Sequence, residues 1–380
     1  MRLDGSVAVV ALGVTEQGKL PGRDGDDIAI EALGYALEEA QLRKEDLDGL
    51  ITCKAAGTGA GVDTEVGRKA GLNPAFSATL DYGTCNFSLH LAAMAISSGM
   101  ATTVACLYGT NQKTGKKYAF TRAAGDAGNP GGPYGFLHIS GPAALAFRRH
   151  QTLFGTTEEQ LGHISVASRA WAKMNPQAIF REDFTIDDYL ASPYLVQPLR
   201  RPDVTMISDG GVALILTSAE RAADFPKAPV YLLAGAQQTG LRLYQNDDQL
   251  MRPWIGKVAE RVYANAGITR DDVDAVFIQD PTSIWILQML EWYGFCERGE
   301  VGPFLESGAI APGGTLPVNT NGGQLSEAYM WGWLHIVEAV RQLRGEAADR
   351  QVDDAKVALY CSTKGFEKAA ATVLASEVPA

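Results

Sequence analysis

Two stretches of the sequence match each other without a gap at one offset of 226 residues, so that Glu39 aligns with Asn265. The first is EAQLRKEDLDGLIT, residues 39–52, and the second is NAGITRDDVDAVFI, residues 265–278. Each stretch ends an amphipathic helical pattern, turns at acidic residues and enters an apolar run. A repeated helix–turn–strand pattern predicts two halves built to one design.

The elements predicted around these stretches repeat as well. An apolar strand pattern, Val7–Gly13, precedes the helix pattern Asp26–Ala40 in the first copy. The second copy has the strand pattern Val230–Ala236 before the helix pattern Arg252–Ala266, and the two helix patterns keep the offset of 226 residues. The alternative is that one common helix–turn–strand pattern matches by chance, and the repetition of strand, helix, turn and strand in order favours the duplication over it. We predict an α/β chain of two duplicated β-α-β halves.

Each half also continues with an apolar helix that leads into a strand. In the first half the helix covers about 87–98 and the strand Thr103–Tyr108. In the second half the helix covers about 327–343 and the strand Val357–Tyr360. Both helices are mostly apolar, so we expect them to be buried between layers with their N-termini close together. Helix N-termini stabilise anions, which makes their meeting point the candidate site.

The order of the elements divides the chain into an N-terminal half, 1–228, and a C-terminal half, 229–380. Only the first half carries a long insertion, at about 111–200. It opens with a polar, Gly-rich stretch, 111–133, and continues with two helical patterns. A loop of that length inside a compact domain is often functional.

The composition narrows the range of partners. With 44 Asp and Glu against 33 Lys and Arg, the 380-residue chain carries a formal charge of −11. This excess of negative charge repels phosphate backbones, which argues against a nucleic-acid partner. No apolar run approaches the roughly 20 residues of a membrane helix, and no secretory leader precedes the first strand. We therefore expect a cytoplasmic protein that does not enter a membrane.

The cysteines of the chain are scattered, and none belongs to a C-x-x-C pair. The five are Cys53, Cys85, Cys106, Cys296 and Cys361. An odd number at this spacing argues against both a disulfide framework and a zinc site. We expect no metal site in this chain.

Several segments together resemble the thiolase superfamily. NTNGGQLSEAYMWG, Asn319–Gly332, is similar to the thiolase motif N-x-x-G-G-x-x-S-x-G-H-P-x-G, and RQLRG follows at Arg341–Gly345. Pro198–Ser218 resembles the sterol-carrier-protein branch. The segments GGQLSEAY and GFC (Gly294–Cys296) most resemble the lipid-transfer-protein-like steroid side-chain aldolases. The resemblance implies a thiolase-like fold with the two halves in a layered αβαβα arrangement.

The departures from the thiolase pattern lie at the chemical positions. Where thiolases have C-x-S-G-S-x-A-L-H, this chain reads YGTCNFSLH, so Tyr82 falls at the nucleophile and Cys85 at a glycine. Tyr329 replaces the histidine of the G-H-P motif, and Gln279 is the polar residue of QDPT in the second half. Only Cys361 keeps the residue type of a thiolase acid/base cysteine.

This pattern favours aldol chemistry over acyl transfer. Claisen chemistry needs a thiolate that carries an acyl group, and a phenol with a pKa near 10 replaces it poorly. Retro-aldol cleavage of a β-hydroxyacyl-CoA needs only a base and a site for an enolate oxygen. We assign Tyr329 as the base, and Tyr82, Gln279 or backbone N–H groups as donors to the oxygen. The aldolases usually carry Tyr-Asp where this chain has Gln279-Asp280.

For the other candidate residues the functional role is supported less strongly, and a structural role is the alternative. Cys361 is a further catalytic candidate, and the predicted substrate-binding residues are Cys85, His138, Gly322, Gly323 and Asp280. The glycines would let the backbone pass close to the thioester. His138 falls in a region that lines the pocket of the resembling enzymes. A buried cysteine is more commonly a small apolar residue, and Asp280 could do no more than cap the helix that follows it.

The resemblance also predicts partners. It implies a homodimer core formed along the strand Thr103–Tyr108, read as a sheet edge, and a partner protein of a zinc ribbon and an OB-fold in a two-plus-two heterotetramer. The zinc would belong to that partner; no cofactor is bound by this chain, and CoA enters as part of the substrate, plausibly a steroid side-chain thioester. Two alternatives stay open. They are an acyltransferase that uses Cys85 or Cys361, and a non-catalytic acyl-CoA-binding subunit.

Overall fold

The computed structural model describes residues 1–54, 61–81, 85–116, 138–240 and 249–378. The first half contains β1 (Arg2–Val14), α1 (Gly25–Ala40), β2 (Gly49–Cys53), α2 (Val62–Ala70), β3 (Phe76–Leu80), α3 (Cys85–Ser97), β4 (Thr103–Thr110), α4 (Ser140–Phe154), α5 (Glu158–Lys173), α6 (Ile186–Ala191), β5 (Tyr194–Val196), β6 (Leu199–Arg200), β7 (Gly210–Ser218) and α7 (Ala219–Ala222). The second half contains β8 (Val230–Thr239), α8 (Trp254–Ala266), β9 (Ala275–Ile278), α9 (Ser283–Trp292), α10 (Val301–Glu306), α11 (Gly323–Ser326), α12 (Trp333–Leu343), β10 (Val357–Lys364) and β11 (Lys368–Ala375).

One sheet of nine strands runs through both halves, in the order β3-β2-β4-β7-β1-β8-β11-β10-β9. The series β2-β4-β7-β1 of the first half recurs in the second half as β9-β10-β11-β8, read inward from the other edge. In each half the first pair of that series is parallel and the second pair is antiparallel. β1 and β8 pair antiparallel where the halves meet. The predicted α/β fold of two duplicated halves is therefore confirmed.

Three apolar cores lie on the faces of this sheet because alternate strand residues point in opposite directions. In β9, Ala275 and Phe277 join a central core, whereas Val276 and Ile278 join an outer core. The central core contains α3 and α12, α1 covers the outer core of the first half, and α8 and α9 cover that of the second. Both apolar helices are thus buried between layers, as the sequence predicts.

The strand Thr103–Thr110 is not an edge of the sheet, so the predicted dimer contact along it is wrong. β4 pairs with β2 on one side and with β7 on the other. The strand at that edge is β3, Phe76–Leu80, which pairs only with β2 in the described part of the chain. Its short, half-exposed FSATL sequence gives a weaker strand signal than the apolar run of β4.

The second buried helix begins later than the sequence predicts. The segment expected to be helical from about 327 breaks after α11, and α12 begins only at Trp333. Trp331 and Gly332 have φ angles of 52° and 85°, in the left-handed region. Two successive residues of that conformation end one helix and re-aim the chain before the next. Tyr329 therefore lies in a bend between two helices.

The helices of the insertion are as predicted. The two helical patterns of the insertion form α4 and α5, and Thr157 caps α5 by accepting a hydrogen bond from the Gln160 amide at 3.1 Å. Among the residues that the structure describes, no helix combines the length and the apolar character needed to cross a bilayer.

Candidate active site

The starts of α3 and α12 approach the same strand, β10. Asn86, in the first turn of α3, donates through Nδ2 to Ser362 Oγ at 2.8 Å and to the Ala370 carbonyl at 3.2 Å. Gly332, the N-cap of α12, lies so close to Tyr360 that a Cβ there would be 1.9 Å from the phenol oxygen. Tyr360, which sequence reasoning did not single out, thus lies beside both helix starts. Burial raises the pKa of its hydroxyl well above the ordinary value, so it stays protonated.

Tyr329 is 1% exposed and its backbone is fixed from both sides. Its amide donates to Ser208 Oγ at 2.9 Å, and the Ser208 hydroxyl donates to its carbonyl at 3.0 Å. Its ring lies 5.6 Å from that of Trp331. Tyr329 precedes Gly332, the N-cap of α12, so it lies outside the first turn of that helix. The sequence pattern, with a helix from about 327, predicts it inside that turn. The N-terminal turn of α12 therefore does not stabilise a phenolate at Tyr329.

Asp280 braces the segment that leads to this tyrosine. Its carboxylate accepts the amides of Gln324 at 2.8 Å and Leu325 at 3.2 Å, which caps α11. It also pairs with His335 Nε2 on α12 at 2.9 Å. The predicted cap on the next helix in sequence, α9, is replaced by this cap on α11. A pairing of 55 residues' separation gives no local sequence signal.

Gly322 and Gly323 are explained by packing. Their φ angles are 98° and 62°, which side chains with a Cβ rarely adopt. A Cβ at Gly322 would lie 2.6 Å from the Ala172 Cβ, and one at Gly323 would lie 2.3 Å from Asp280 Oδ2. In the described part of the chain, glycine is required at both positions because neighbouring protein atoms leave no room for a Cβ. The sequence analysis instead explained the two glycines by a close approach of the thioester.

Gln279 joins the ends of β9 and β10 beside the start of α12. Its amide donates to the Cys361 carbonyl at 2.9 Å, and its Oε1 accepts the Thr363 amide at 3.0 Å. Its Cγ would be 3.4 Å from a Cβ at Gly332. Since Oε1 is used in this way, Nε2 is the remaining donor, and it has no hydrogen-bond partner within the described part of the chain.

The two cysteine candidates are buried thiols. Cys85 and Cys361 are each 0% exposed, and burial raises the pKa of both thiols above the ordinary value. Cys361 lies in the outer core covered by α9, while its neighbour Tyr360 faces the central core. In the described ranges neither thiol is hydrogen-bonded to a histidine that could deprotonate it. This environment favours neutral thiols.

His138 is half-buried just before α4. Its Nδ1 accepts the Ser140 amide at 3.2 Å and lies 2.9 Å from Ser140 Oγ, and burial lowers its pKa. These contacts fix the ring relative to α4. Tyr82 lies outside the described residues, so its predicted contact with an enolate oxygen stays a prediction. No group of His, Cys, Asp and Glu in the described ranges is arranged to hold a metal ion.

Glu327 is a buried acid that the sequence analysis missed, although it stands two residues before Tyr329. Its carboxylate accepts from Asn175 Nδ2 at 2.8 Å and from Asn321 Nδ2 at 2.5 Å. Burial, followed by the nearby Glu338, raises its pKa from 4.5 to about 7. The only sequence signal was its place beside the tyrosine in the EAY segment.

Glu327 should therefore lower stability as the pH rises. The folded chain binds a proton there more tightly than the unfolded chain, so the free energy of unfolding falls between pH 4.5 and about 7. The expected loss is about 3 kcal/mol, at about 1.4 kcal/mol per pKa unit. Urea unfolding of the wild type and of Glu327→Gln at several pH values measures it, and the variant should lack this component.

Glu159→Gln, at an exposed position of α5, is the matched control and should leave the wild-type pH dependence unchanged. Parallel stability curves for the wild type and Glu327→Gln from pH 4.5 to 7 would contradict the raised pKa.

Comparison with known proteins identifies the family. Residues 235–377 match the family model "Thiolase C-terminal domain-like". The steroid side-chain-cleaving aldolase of Thermomonospora curvata is 34% identical over 95% of this chain and 96% of its own length. The 17-hydroxy-3-oxo-4-pregnene-20-carboxyl-CoA lyase of Mycobacterium tuberculosis is 35% identical over 91% of this chain and 94% of its own.

A solved structure agrees with this result. The Ltp2-ChsH2(DUF35) aldolase superposes with a TM-score of 0.90 and 32% identity, over 99% of each chain. Sequence and fold thus agree over nearly the whole length, as the motifs around Tyr329 predicted. The chain belongs to the thiolase superfamily, in the branch of the steroid side-chain-cleaving aldolases.

Proposed function

We propose that this chain is an aldolase that breaks the Cα–Cβ bond of a β-hydroxyacyl-CoA. The observation that carries the proposal is its full-length identity of 34% and 35% to two relatives named for carbon–carbon cleavage. The names of those relatives indicate a steroid side-chain thioester with a hydroxyl β to the thioester carbonyl. We expect the reaction in the cytoplasm, the compartment that the sequence predicts.

In the proposed mechanism Tyr329 removes the proton of the substrate β-hydroxyl. The Cβ–O bond becomes a carbonyl as the Cα–Cβ bond breaks, and the bonding electrons move to the thioester oxygen as an enolate. Gln279 Nε2 donates a hydrogen bond to that oxygen, since its Oε1 is held by the Thr363 amide at 3.0 Å. Proton return to Cα then releases a shorter acyl-CoA and a ketone.

An acyl-transfer mechanism fits the described residues less well. It needs a thiolate, and the thiols of Cys85 and Cys361 are both buried with pKa values raised by that burial. We therefore assign neither cysteine the role of nucleophile. Tyr82 remains a proposed second donor to the enolate.

We further propose that the chain works with a second protein. Support comes from the name of the Ltp2-ChsH2(DUF35) aldolase, which pairs two components, and from the fold match to it. A partner of a zinc ribbon and an OB-fold, in a two-plus-two assembly around a homodimer of this chain, is the arrangement we expect. The β3 edge, Phe76–Leu80, offers the unpaired strand for the homodimer contact.

Product analysis tests the proposed activity directly. The chain, co-expressed with a partner of that kind, is incubated with β-hydroxyacyl-CoA thioesters that bear a tertiary β-hydroxyl. Mass spectrometry should find a ketone and a shortened acyl-CoA in equal amounts. Acyl transfer to free CoA without a ketone product, together with an acylated cysteine peptide, would replace the aldolase with a thiolase-type enzyme.

Thiol alkylation should leave cleavage intact. Because the mechanism uses a phenol, and because Cys85 and Cys361 are each 0% exposed, iodoacetamide should reach Cys296 first. The expected residual cleavage rate is more than about half of the untreated rate, as surface modification rarely disturbs a buried site. A parallel sample of Cys296→Ser measures the effect of the accessible thiol alone. Complete inactivation of that variant by alkylation would point to a catalytic thiol.

A further inference from the structure

Helix α5 of the insertion runs along the segment that ends at Tyr329. At one end of that segment, Ser168 Oγ on α5 donates to the Gly322 carbonyl. At the other end, just past α5, the Ile179 amide donates to the Glu327 carbonyl at 2.9 Å. The insertion therefore holds the backbone of the segment that carries the tyrosine.

Asn175, which follows α5, connects the two ends of this segment. It is 1% exposed, and its Nδ2 donates to the Asn321 carbonyl at 2.9 Å and to Glu327 Oε1 at 2.8 Å. Its Oδ1 accepts the Gln177 amide at 3.0 Å. Because a backbone N–H can only donate, this bond fixes which atom of the side-chain amide is the oxygen. The group that faces Glu327 is therefore an N–H donor.

The Glu327 carboxyl faces a second donor of the same kind. Asn321 Oδ1 accepts the Gly323 amide at 3.2 Å, so its Nδ2 is the group that lies 2.5 Å from Glu327 Oε2. Both carboxyl oxygens are thus directed at N–H donors. Only the ionised carboxylate can accept on both oxygens, because a protonated acid turns one of them into a donor. Protonation of Glu327 therefore removes one of the two hydrogen bonds.

The charges around this carboxyl are balanced between its two states. Burial and the nearby Glu338 on α12 oppose the negative charge of Glu327, whereas the asparagine amides and Arg341 favour it, which leaves its pKa at about 7. Arg350 also interacts with Glu327, but its guanidinium pairs with Glu338 at 2.9 Å. The carboxyl therefore gains and loses its proton near neutral pH.

We propose that Asn175 and Glu327 form a positioning pair, which holds Tyr329 in place for proton transfer only while Glu327 is ionised. The inference rests on the proposed aldolase function and adds a control of its base. Neither member of the pair contacts the reacting atoms, and both act through Tyr329. The tyrosine backbone is bonded to Ser208 at 2.9 and 3.0 Å, and the pair fixes the segment two residues before it. A small displacement of an acid–base group is enough to slow proton transfer.

The pH dependence of cleavage separates this role from a structural one. In the enzyme assembled with its partner, kcat should rise about tenfold from pH 6 to pH 8, because the ionised fraction of a group with a pKa of about 7 rises by that factor. KM should change little, since the pair does not contact the substrate. Glu327→Gln keeps the size of the side chain but cannot accept on both sides. Its kcat should stay at or below the wild-type value of pH 6 over the whole range.

Asn175→Ala should move the midpoint of that rise upward by about half a pH unit or more, because it removes a donor that favours the carboxylate. Gln288→Ala is the matched control. Gln288 is also a buried amide between a charged group and a backbone carbonyl, since it accepts from Arg252 Nε at 2.6 Å and donates to the Leu250 carbonyl at 2.8 Å. The control should lose stability but keep the wild-type midpoint. If Asn175→Ala does not fold, the profiles of the wild type and Glu327→Gln decide the proposal.

A signal from Tyr329 itself makes the test independent of turnover. The chain is labelled with 3-fluorotyrosine and assembled with its partner, and the fluorine resonance of Tyr329 is assigned by its absence from Tyr329→Phe. In the wild type this resonance should shift with pH at the same midpoint as kcat. In Glu327→Gln it should stay fixed between pH 6 and pH 8, whereas in Gln288→Ala it should follow the wild type.

A wild-type kcat that stays flat between pH 6 and pH 8 would overturn the proposal, and so would a wild-type rise that persists in Glu327→Gln. Equal shifts of the midpoint in Asn175→Ala and Gln288→Ala would remove Asn175 from the pair. A pH-dependent Tyr329 resonance in an enzyme that cleaves no β-hydroxyacyl-CoA would refute the aldolase function but keep the positioning pair. Cleavage at a constant rate with a fixed resonance would do the reverse.

Discussion

Replacing Tyr329 with phenylalanine is expected to lower kcat for cleavage of a β-hydroxyacyl-CoA by about 10²–10⁴-fold, the usual contribution of a positioned acid–base group. Without the phenol oxygen, no described group at this position takes the proton of the β-hydroxyl. The ring is retained, so its packing 5.6 Å from Trp331 and the two backbone hydrogen bonds to Ser208 should persist. Steady-state kinetics with mass-spectrometric detection of the shortened acyl-CoA measures the loss.

Tyr263→Phe is the matched control for this substitution. Tyr263 is half-buried in the outer core, and its hydroxyl donates to the Tyr293 carbonyl at 3.1 Å, so the change removes a phenol oxygen away from the central layer. The control should keep wild-type kcat within about threefold, with a stability cost of about 1 kcal/mol for the lost hydrogen bond. A Tyr329→Phe enzyme that cleaves as fast as this control would remove Tyr329 from the mechanism.

The duplicated fold could be predicted because its signal is local and repeated. Strand and helix periodicity at 39–52 and 265–278 encodes the same helix–turn–strand unit twice, and both copies form as expected. The edge strand β3 could not be predicted in the same way. Its five residues, Phe76–Leu80, acquire a strand conformation by pairing with β2, a contact that no pattern within the segment specifies.

The break before α12 illustrates a second limit. Glu327 to Trp331 reads as helical because these residues follow an apolar period, but Gln324 Oε1 accepts the Gly332 amide at 3.0 Å and holds the chain in a bend. The available sequence signal was the glycine at position 332, because glycine tolerates the φ of 85° that the chain adopts there. The motif therefore located Tyr329 correctly in sequence while misplacing it relative to the helix.

The buried charges of the site were the least predictable part. Asp280 pairs with His335, and Glu327 with Asn175 and Asn321, across separations that only the folded chain brings together. Burial of a charged residue opposes the usual tendency of its type, so composition and periodicity point to the surface instead. Such exceptions are expected mainly where chemistry is performed.

Asp280→Ala should cause the largest loss of stability, about 3–5 kcal/mol in the free energy of unfolding, because it removes the acceptor of three buried donors, each of which costs about 1–3 kcal/mol when left unsatisfied. The substitution leaves the amides of Gln324 and Leu325 and the ring nitrogen of His335 without the acceptor they share. All three donors are buried, so water does not replace the carboxylate at low cost. Urea unfolding at pH 7 measures the change.

Asp274→Ala provides the matched comparison, because Asp274 also accepts two backbone amides, those of Lys356 and Val357, each at 2.8 Å. Asp274 is only half-buried, so water can satisfy the freed amides and the expected cost is about 1 kcal/mol. The difference between the two variants isolates the effect of burial and of the His335 pair. Because Asp280 caps α11 and α11 leads into Tyr329, kcat of Asp280→Ala should fall as well. Equal stability losses in the two variants would show that Asp280 does not brace the segment that carries the tyrosine.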